Sequence, residues 1–249
     1  MKFNDKVAIV TGAGRGIGEA VAASFVKEGA AVVLVDVDYD DLEGVRKKLA
    51  AIAGRVIGVQ ANVAFQNNWD LILERCLDQF GTVDILVNNA GITSDAGSAG
   101  MKKATWDQVI DVNLKGAFLG CQTVVPIMLE KFYGKIVNIS SAARLDNSGQ
   151  TSYAAAQAGV AGMTCSLAKE LGEHGISVNA IAPGGIMSDM FKSVPDTLAE
   201  EAKGITTLSP GGEPAEIAAA CLSLASDESP FVTGQILYAN GGTLCRNQL

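Results

Sequence analysis

The sequence predicts an α/β fold in which one parallel sheet of about seven strands is covered by helices on both faces. Short apolar runs rich in β-branched residues, typical of strands buried on both faces, occupy residues 7–10, 31–35, 56–59, 85–87, 136–139, 176–181 and 236–238. Patterns with helical spacing lie between them, at residues 17–27, 42–53, 69–80, 106–132, 153–171 and 215–225. This alternation of strand and helix predicts a doubly wound sheet.

The composition of the chain argues against several classes of protein. Of its 249 residues, 48% are apolar, which is enough for one large core, and no composition shift marks a linker. We therefore expect residues 1–249 to form a single domain. The formal net charge of −8 argues against a nucleic-acid partner, because phosphate contacts need a basic surface. The sequence shows neither a signal peptide nor an apolar run of membrane-spanning length, so we expect a cytoplasmic protein without a membrane partner.

Cysteine and histidine usage indicates no metal site. The five cysteines are scattered, odd in number and without a CxxC pair, which favours free thiols in a reducing compartment. The one histidine, His174, excludes a site built on two histidine ligands. His174 lies at a predicted helix end, where it would meet the helix dipole, and we do not expect it to be catalytic.

One long segment interrupts the alternation of strands and helices. Residues 183–214 contain four prolines and follow the carboxyl end of a predicted strand. Open α/β sheets bind ligands at that edge, so we expect a substrate loop at about residues 184–212. A disordered surface insertion is the alternative.

A glycine-rich turn joins the first strand to the first helix. Residues 11–18 read TGAGRGIG, with the spacing TGxxxGxG rather than GxGxxG. Glycines allow a tight turn and the close approach of a pyrophosphate, while the helix amino end supplies N–H groups and a positive dipole. We predict that Gly12, Arg15, Gly16, Ile17 and Gly18 bind a dinucleotide. A purely structural turn is the alternative.

The second predicted strand ends at Asp36, roughly 20 residues beyond the glycines. A carboxylate at this place accepts hydrogen bonds from an adenosine ribose and repels a 2′-phosphate, so Asp36 favours NAD over NADP. Two other readings remain open. Asp36 is also suited to capping a helix, and Arg15 is suited to meeting a 2′-phosphate.

With these motifs in order, the sequence resembles the short-chain dehydrogenase/reductase family over essentially its whole length. Beside the glycine turn, the resemblance is carried by NV at 62–63, NNAG at 88–91, DVNL at 111–114, SS at 140–141, YAAAQ at 153–157, PGGI at 183–186 and VTGQ at 232–235. It implies a Rossmann-type sheet of seven parallel strands, NAD(P), and hydride transfer between a secondary alcohol and a ketone. It also implies a homotetramer, with the helices at 106–132 and 153–171 in the subunit interface.

The resemblance implies further cofactor contacts. Asn62 and Val63 would flank the adenine, and Pro183, Gly184 and Ile186 would approach the nicotinamide. The ribose side of the cofactor would be lined by Asn89, Ala90 and Gly91. Ser188 stands where the family usually has a threonine that holds the carboxamide.

The resemblance also implies the catalytic residues. Tyr153 matches the general acid/base, and Asn113 matches the helix-bend residue that holds a water in a proton relay. Ser141 matches the hydroxyl that orients the substrate, because the working serine of the family comes second in such a pair. The segment from Ser141 to Tyr153 is one residue shorter than in common relatives, which leaves Ser140 as the alternative.

Gln157 occupies the position of the family's active-site lysine. It lies four residues after Tyr153, on the same helix face, and should still reach the cofactor ribose. It supplies no positive charge. A unit charge ~5 Å away at a dielectric constant of ~20 contributes on the order of 3 kcal/mol, or roughly two pKa units. Without it, tyrosinate at neutral pH would be about a hundredfold scarcer.

Three explanations for Gln157 are open. The protein is a weakened or inactive member, a lysine-to-glutamine variant of an active enzyme, or a member in which another cation substitutes. Lys169 lies sixteen residues beyond Tyr153 along the predicted helix, over ~20 Å away by helical rise, and is too distant. Arg144 is the nearby basic candidate, either as an ordinary loop charge or in contact with a substrate carboxylate or the proton relay.

The sequence therefore predicts an NAD-dependent oxidoreductase that interconverts a secondary alcohol and a ketone, with activity weakened by Gln157. Reduction of a 3-oxoacyl thioester competes, within this class, with oxidation of a cyclic alcohol, sugar or polyol. A cofactor-binding protein with little or no turnover is the alternative from another class.

Overall fold

The seven predicted strands are present and form one sheet. The computed structural model describes residues 1–94, 96–142, 149–187, 206–208 and 211–243. Its strands are β1 (Val7–Thr11), β2 (Ala31–Asp36), β3 (Val56–Gln60), β4 (Ile85–Asn88), β5 (Gly134–Ile139), β6 (Ile176–Pro183) and β7 (Ile236–Ala239). They lie in the order β3-β2-β1-β4-β5-β6-β7, and all neighbouring pairs are parallel. The predicted parallel α/β fold is confirmed.

Helices cover both faces, because each central strand sends alternate side chains into two cores. In β1, Ala8 and Val10 enter one core, whereas Val7 and Ile9 enter the other. The first core is closed by α1 (Gly16–Lys27), α2 (Tyr39–Ala50) and α7 (Pro214–Ala225). The second is closed by α3 (Gln66–Phe80), α5 (Gly116–Glu130) and α6 (Thr151–Leu171). This double burial explains why the strands read as continuous apolar runs.

The helix predicted at residues 106–132 differs from the observed one in its bounds and in its continuity. It begins earlier as α4 (Lys103–Ile110), passes through a π-helical turn (Asp111–Lys115), and continues as α5. Asn113 lies in that turn, and its amide donates to the carbonyl oxygens of Val109 and Ile92. Contacts across the fold therefore hold a widened turn that apolar spacing does not reveal.

The same stretch, Lys103–Glu130, is the one helix among the described residues with the length and composition of a membrane span. Its most apolar window has a mean hydropathy of 1.3, and 39% of that window is buried in the protein. Val124 and Met128 of α5 lie fully buried in the second core. Packing onto the sheet accounts for the apolar character of α5.

The carboxyl edge of the sheet gathers the loops that the sequence predicts to bind ligands. The strand order reverses between β1 and β4, which is the topological switch point where such sheets take their ligands. The two ends of the long segment meet beyond β6, where the Met187 amide donates to the Gly212 carbonyl at 2.8 Å. The Gly212 amide donates in turn to Gly185 at 2.9 Å. Residues 188–205 and 209–210 of the expected substrate loop lie outside the described residues.

Four of the five cysteines lie in the described part of the chain, and all four are free thiols. Cys76, Cys121 and Cys221 are buried, whereas Cys165 is exposed. Burial raises the pKa of the Cys76 and Cys121 thiols to about 12, so these two stay protonated and unreactive. Cys245 lies outside the described residues.

Candidate active site

The glycine turn after β1 forms a close-packed cradle at the start of α1. Gly12 and Gly16 have φ angles of +62° and +59°, which favour glycine over other residues. A Cβ on Gly18 would lie 2.0 Å from the Gly12 carbonyl oxygen, so no side chain fits there. Arg15, the residue before α1, makes no side-chain capping hydrogen bond, and the first amides of the helix are left for an anionic group.

Thr11 and Asn89 clamp this turn to the end of β4. The Asn89 amide donates to the carbonyl oxygens of Thr11 and Gly12, at 2.8 and 3.1 Å. The Thr11 hydroxyl accepts from the backbone amides of Asn89 and Ala90, both at 3.0 Å. The Asn89 side chain therefore shapes the cradle. The family resemblance implies only that Asn89 lines the ribose side of the cofactor.

Asp36 faces the glycine turn from the end of β2. Its Oδ2 accepts from the Gly14 amide at 2.9 Å, and its Oδ1 accepts from the Asp38 amide at 3.1 Å. The cap of α2 is Asp38, whose side chain accepts from the amides of Asp40 and Asp41, so helix capping does not account for Asp36. The Asp36 carboxylate instead joins the glycine turn to the end of β2, along which the adenosine part of a dinucleotide would lie.

Arg15 and Asn62, both predicted to contact the cofactor, also make contacts within the protein. The Arg15 guanidinium lies 3.8 Å from the Asp41 carboxylate, an exposed pair. The Asn62 side chain accepts from the Ala64 amide at 3.0 Å within its own turn. Val63 is buried. The backbone places this turn beside Asp36, because the Ala61 amide donates to the Asp36 carbonyl at 2.9 Å.

Asn113 in the π-helical turn approaches the loop after β4. Its Oδ1 accepts from the Ile92 amide at 3.2 Å, and a Cβ on Gly91 would lie 2.6 Å from the same oxygen. A cavity of about 10 Å³ lies alongside, lined in part by Thr11, Asn88 and Asn113. That volume suits one water held by polar partners, as a proton relay requires.

Ser141, Tyr153 and Gln157 come together where β5 ends and α6 begins. The Tyr153 hydroxyl makes hydrogen bonds with the side chains of Ser141 and Gln157. The hydroxyl of Ser140 turns the other way and donates to the Gln157 carbonyl at 3.0 Å. In this arrangement the hydroxyl of Ser141, and not that of Ser140, lies beside the Tyr153 phenol.

The phenol of Tyr153 is held in its protonated form. Burial raises its pKa above the ordinary value, and the hydrogen bonds from Ser141 and Gln157 lower it only in part. A protonated phenol beside a hydroxyl has the groups needed to hold a carbonyl oxygen and to give it a proton.

An orphaned atom shows what else the site is built to hold. Gln157 is 4% exposed, and its Oε1 is buried without a hydrogen-bond partner among the described residues. A buried acceptor without a partner is costly, and a hydroxyl donor such as a ribose OH would satisfy it. Together with the glycine cradle, this acceptor fits a nicotinamide dinucleotide, which Gly12, Gly16, Gly18, Asp36, Tyr153 and Gln157 would hold.

The remaining residues that the sequence analysis singled out lie at the end of β6, outside the described residues, or far from Tyr153. Pro183 ends β6, while Gly184 and Ile186 continue beside it, and the Gly184 amide donates to Ala239 at 3.1 Å. Ser188 and Arg144 lie outside the described residues. His174 lies in the short helix after α6, about 30 Å by helical rise from Tyr153.

Sequence reasoning missed a buried chain of amides that positions α6. The Asn88 side chain donates to Asn138 Oδ1 at 2.9 Å, and Asn138 donates to the Thr164 hydroxyl at 2.9 Å. All three side chains are buried, and they join β4, β5 and the middle of α6. The available signal is Asn138 itself, a polar residue within an otherwise apolar run.

Comparisons with known proteins agree with this geometry. The family model of short chain dehydrogenases matches residues 6–199. The 3-oxoacyl-(acyl-carrier-protein) reductase FabG of Thermotoga maritima is 43% identical over 97% of this chain and 99% of its own. The hydroxy(phenyl)methylsuccinyl-CoA dehydrogenase subunit BbsD of Thauera aromatica is 42% identical over 97% and 98%.

Solved structures give the same result. The crystal structure of levodione reductase superposes with a TM-score of 0.93 at 34% identity, covering 98% of this chain and 99% of its own. A putative gluconate dehydrogenase from Agrobacterium tumefaciens superposes with a TM-score of 0.93 at 32% identity, covering 98% and 97%. Family model, sequence and structure converge, and the chain belongs to the short-chain dehydrogenase family.

Proposed function

We propose that this oxidoreductase interconverts a ketone and a secondary alcohol with a nicotinamide cofactor. The observation that carries the proposal is the contact of Ser141 and Gln157 with the Tyr153 hydroxyl beside the glycine cradle. The nicotinamide supplies or accepts the hydride when bound. Ser141 holds the substrate oxygen, and Tyr153 exchanges a proton with that oxygen.

The direction of proton transfer follows from the state of the phenol. Because burial keeps Tyr153 protonated at neutral pH, the site is ready to donate a proton, which is the step that ketone reduction requires. Oxidation of the alcohol needs tyrosinate, which is scarce in the absence of a lysine at position 157. We therefore assign reduction as the direction that neutral pH favours. Asn113 and the adjoining cavity would support the return of a proton through water.

NAD is the proposed cofactor, rather than NADP. Asp36 faces the turn that would hold the adenosine end, with Asp38, Asp40 and Asp41 close behind it in sequence. A 2′-phosphate there would meet carboxylates, and Arg15, the nearby cation, already lies against Asp41.

The names of the relatives suggest where to look for the substrate. Two of them are named for thioesters, a 3-oxoacyl-(acyl-carrier-protein) and a succinyl-CoA derivative, and two for a diketone and a sugar acid. We place 3-oxoacyl thioesters first among the ketones to be tried, with cyclic ketones and polyols next.

A homotetramer belongs to the same proposal. Phe118 on α5 is 44% exposed in the single chain, as expected for a helix face that a second copy covers. Light scattering would give the particle mass, and a monomer would contradict the assignment. The cytoplasmic location remains a prediction from the sequence.

The test combines binding and turnover. Titration of the protein with NADH and with NADPH, followed by fluorescence, should show tighter binding of NADH. A ketone panel led by 3-oxoacyl thioesters should then oxidise the bound NADH. Tyr153→Phe, which removes one oxygen, should bind NADH as before and lower turnover about 10²- to 10⁴-fold. Loss of NADH binding in the wild-type protein would contradict the proposal as a whole.

A cofactor-binding protein without turnover is the second candidate, and Gln157 is the observation that favours it. NADH binding without oxidation by any ketone of the panel, in the wild-type protein and in Tyr153→Phe alike, would establish this second candidate.

A further inference from the structure

The described loops around Tyr153 contain no charged side chain. They comprise residues 88–94, 138–142, 149–157 and 183–187, at the carboxyl ends of β4, β5 and β6 and the start of α6. On the adjoining π-helical turn, Asp111 and Lys115 carry opposite charges and pair with each other at 2.7 Å. In the part of the chain that the structure describes, position 157 is thus a neutral amide in neutral surroundings.

A charge at position 157 would stand close to the reacting ring. The Gln157 side chain contacts the Tyr153 hydroxyl, and that hydroxyl must reach the reacting oxygen to exchange a proton. Two hydrogen bonds of about 3 Å and a near-attack separation of about 3.5 Å place position 157 within about 10 Å of the nicotinamide. At that distance, in a partly buried site, a unit charge at position 157 changes the binding free energy of a charged nicotinamide ring substantially.

We propose that Gln157 determines which redox state of the nicotinamide the site holds more tightly. The ring of NAD⁺ is positively charged and the ring of NADH is neutral. A lysine at position 157 would repel only NAD⁺, and the amide of Gln157 removes that repulsion. The proposal rests on the proposed function and deepens it, because tighter relative binding of NAD⁺ makes bound NADH a stronger hydride donor.

Tighter relative binding of NAD⁺ favours reduction of the ketone, in which every electron pair and proton is accounted for. As the ketone carbon accepts hydride from NADH, the electron pair of the C=O π bond moves to oxygen. Tyr153 donates its hydroxyl proton to that oxygen, and the resulting tyrosinate recovers a proton from water. The neutral amide at position 157 and the protonated phenol therefore favour the same direction, reduction of the ketone.

Equilibrium binding measures the proposal without turnover. Calorimetric titrations with NAD⁺ and with NADH give two dissociation constants, for the wild type, Gln157→Lys and the uncharged variant Gln157→Met. Gln157→Lys should raise the ratio Kd(NAD⁺)/Kd(NADH) at least about tenfold. That change corresponds to about 30 mV in the two-electron midpoint potential of the bound cofactor. Gln157→Met should leave the ratio within about threefold of the wild type.

Two more variants keep the test decisive. Gln157→Glu, titrated at a pH where the carboxylate is ionised, should lower the same ratio, and it decides the matter if Gln157→Lys does not fold. Arg144→Gln removes a basic side chain that lies outside the described residues. The ratio should stay at the wild-type value, and a fall would overturn the proposal, because Arg144 would then supply the charge that Gln157 lacks.

The outcomes separate this inference from the function on which it rests. If both nucleotides bind and the lysine and methionine variants shift the ratio equally, the inference is overturned and the proposed function stands. If the wild-type protein binds neither nucleotide, the proposed function is overturned and the inference with it.

Discussion

The two edges of the sheet differ in how completely their buried polar groups are paired. At the amino edge, Asp84 before β4 accepts from the Val7 amide at 2.8 Å and pairs with Lys131. Lys131 also donates to the Val83 carbonyl at 2.7 Å and to the Thr82 hydroxyl at 2.9 Å. At the carboxyl edge, Gln157 Oε1 lies buried with no hydrogen-bond partner in the part of the chain that the structure describes. Saturated contacts at one edge hold the strands, and an unsatisfied group at the other is available to a ligand.

The amino edge continues around the ring of Tyr133. The ammonium of Lys6 lies 3.7 Å from the ring centroid, and the Tyr133 hydroxyl donates to Asp227 at 3.0 Å. Lys135 joins the same carboxylate at 3.7 Å. Charge here is paired with opposite charge or with an aromatic face, so its role is to join β1, β5 and the end of α7. The described loops around Tyr153 are neutral, whereas the charges at the amino edge are paired, so binding and stability depend on different groups.

The largest expected effect concerns the buried charge at the amino edge. Asp84→Ala should lower the free energy of unfolding by about 3 kcal/mol, because it strands the Lys131 ammonium and the Val7 amide. Urea denaturation measures the loss, and the dissociation constant for NADH should not change.

The same edge offers a matched control. The side chains of Lys2 and Glu228 are 54% and 69% exposed, so Glu228→Ala should cost less than about 1 kcal/mol. The double variant Asp84→Leu with Lys131→Met should recover most of the loss, since it leaves no charge unpaired. Equal costs for Asp84→Ala and Glu228→Ala would remove the contrast between buried and exposed pairs.

The next effect concerns turnover at the carboxyl edge. Gln157→Lys should raise the rate of alcohol oxidation at neutral pH at least about tenfold, or about 1.4 kcal/mol of activation free energy. The pKa of Tyr153 lies above its usual value, so the wild-type rate should climb with rising pH as tyrosinate forms. A lysine lowers that pKa, and the climb should be smaller and end at lower pH. Steady-state rates across pH measure both changes.

An unchanged rate in Gln157→Lys would show that the site activates Tyr153 by another route. Denaturation of the same variant separates this result from a loss of folding, because a lysine in the place of a 4% exposed glutamine also tests the packing of α6.

The smallest effect is the acid dependence of the amino edge. Burial pushes the pKa of Asp227 up, but the Tyr133 hydrogen bond and the neighbouring Lys6 and Lys135 outweigh it and hold that pKa below its usual value. A lowered carboxyl pKa adds stability above the unfolded pKa of about 3.9, and that stability is lost as pH falls through the lower folded value. Since Asp227 is 59% exposed, the contribution should stay below about 1 kcal/mol.

Melting temperatures of the wild type and of Asp227→Asn, measured from neutral to acidic pH, give the contribution of the Asp227 charge to stability. The two curves should differ near neutral pH and converge below the folded pKa of Asp227. Added salt should narrow the difference. A constant difference at every pH would show that packing, and not charge, separates the two proteins.

The elements predicted from the sequence are correct where the local signal is strong. The strands are mainly apolar runs bounded by turn residues, and all seven overlap the predicted runs. Helix ends depend on other signals. The apolar pattern places the start of the second helix at residue 42, whereas Asp38 caps the observed helix and starts it at Tyr39. The π-helical turn around Asn113 has no periodic signal, because it depends on contacts with the loop after β4.

The candidate site divides in the same way. The residue types of the site can be read from the sequence: glycines before the first helix, Asp36 at a strand end, and Tyr153 with Gln157 one helical turn later. These follow from spacing along a regular element, which local geometry fixes.

The folded structure, by contrast, sets which of these groups come into contact. It turns Ser141 towards Tyr153 and Ser140 away, and it uses Asn89 to clamp the glycine turn. It also buries Gln157 Oε1 where no described residue gives it a hydrogen bond. Such contacts join residues far apart in the chain, and the packing of helices on the sheet sets their distances. The residue types determine which chemical groups are present, and the packing of the folded protein determines how those groups are oriented towards one another.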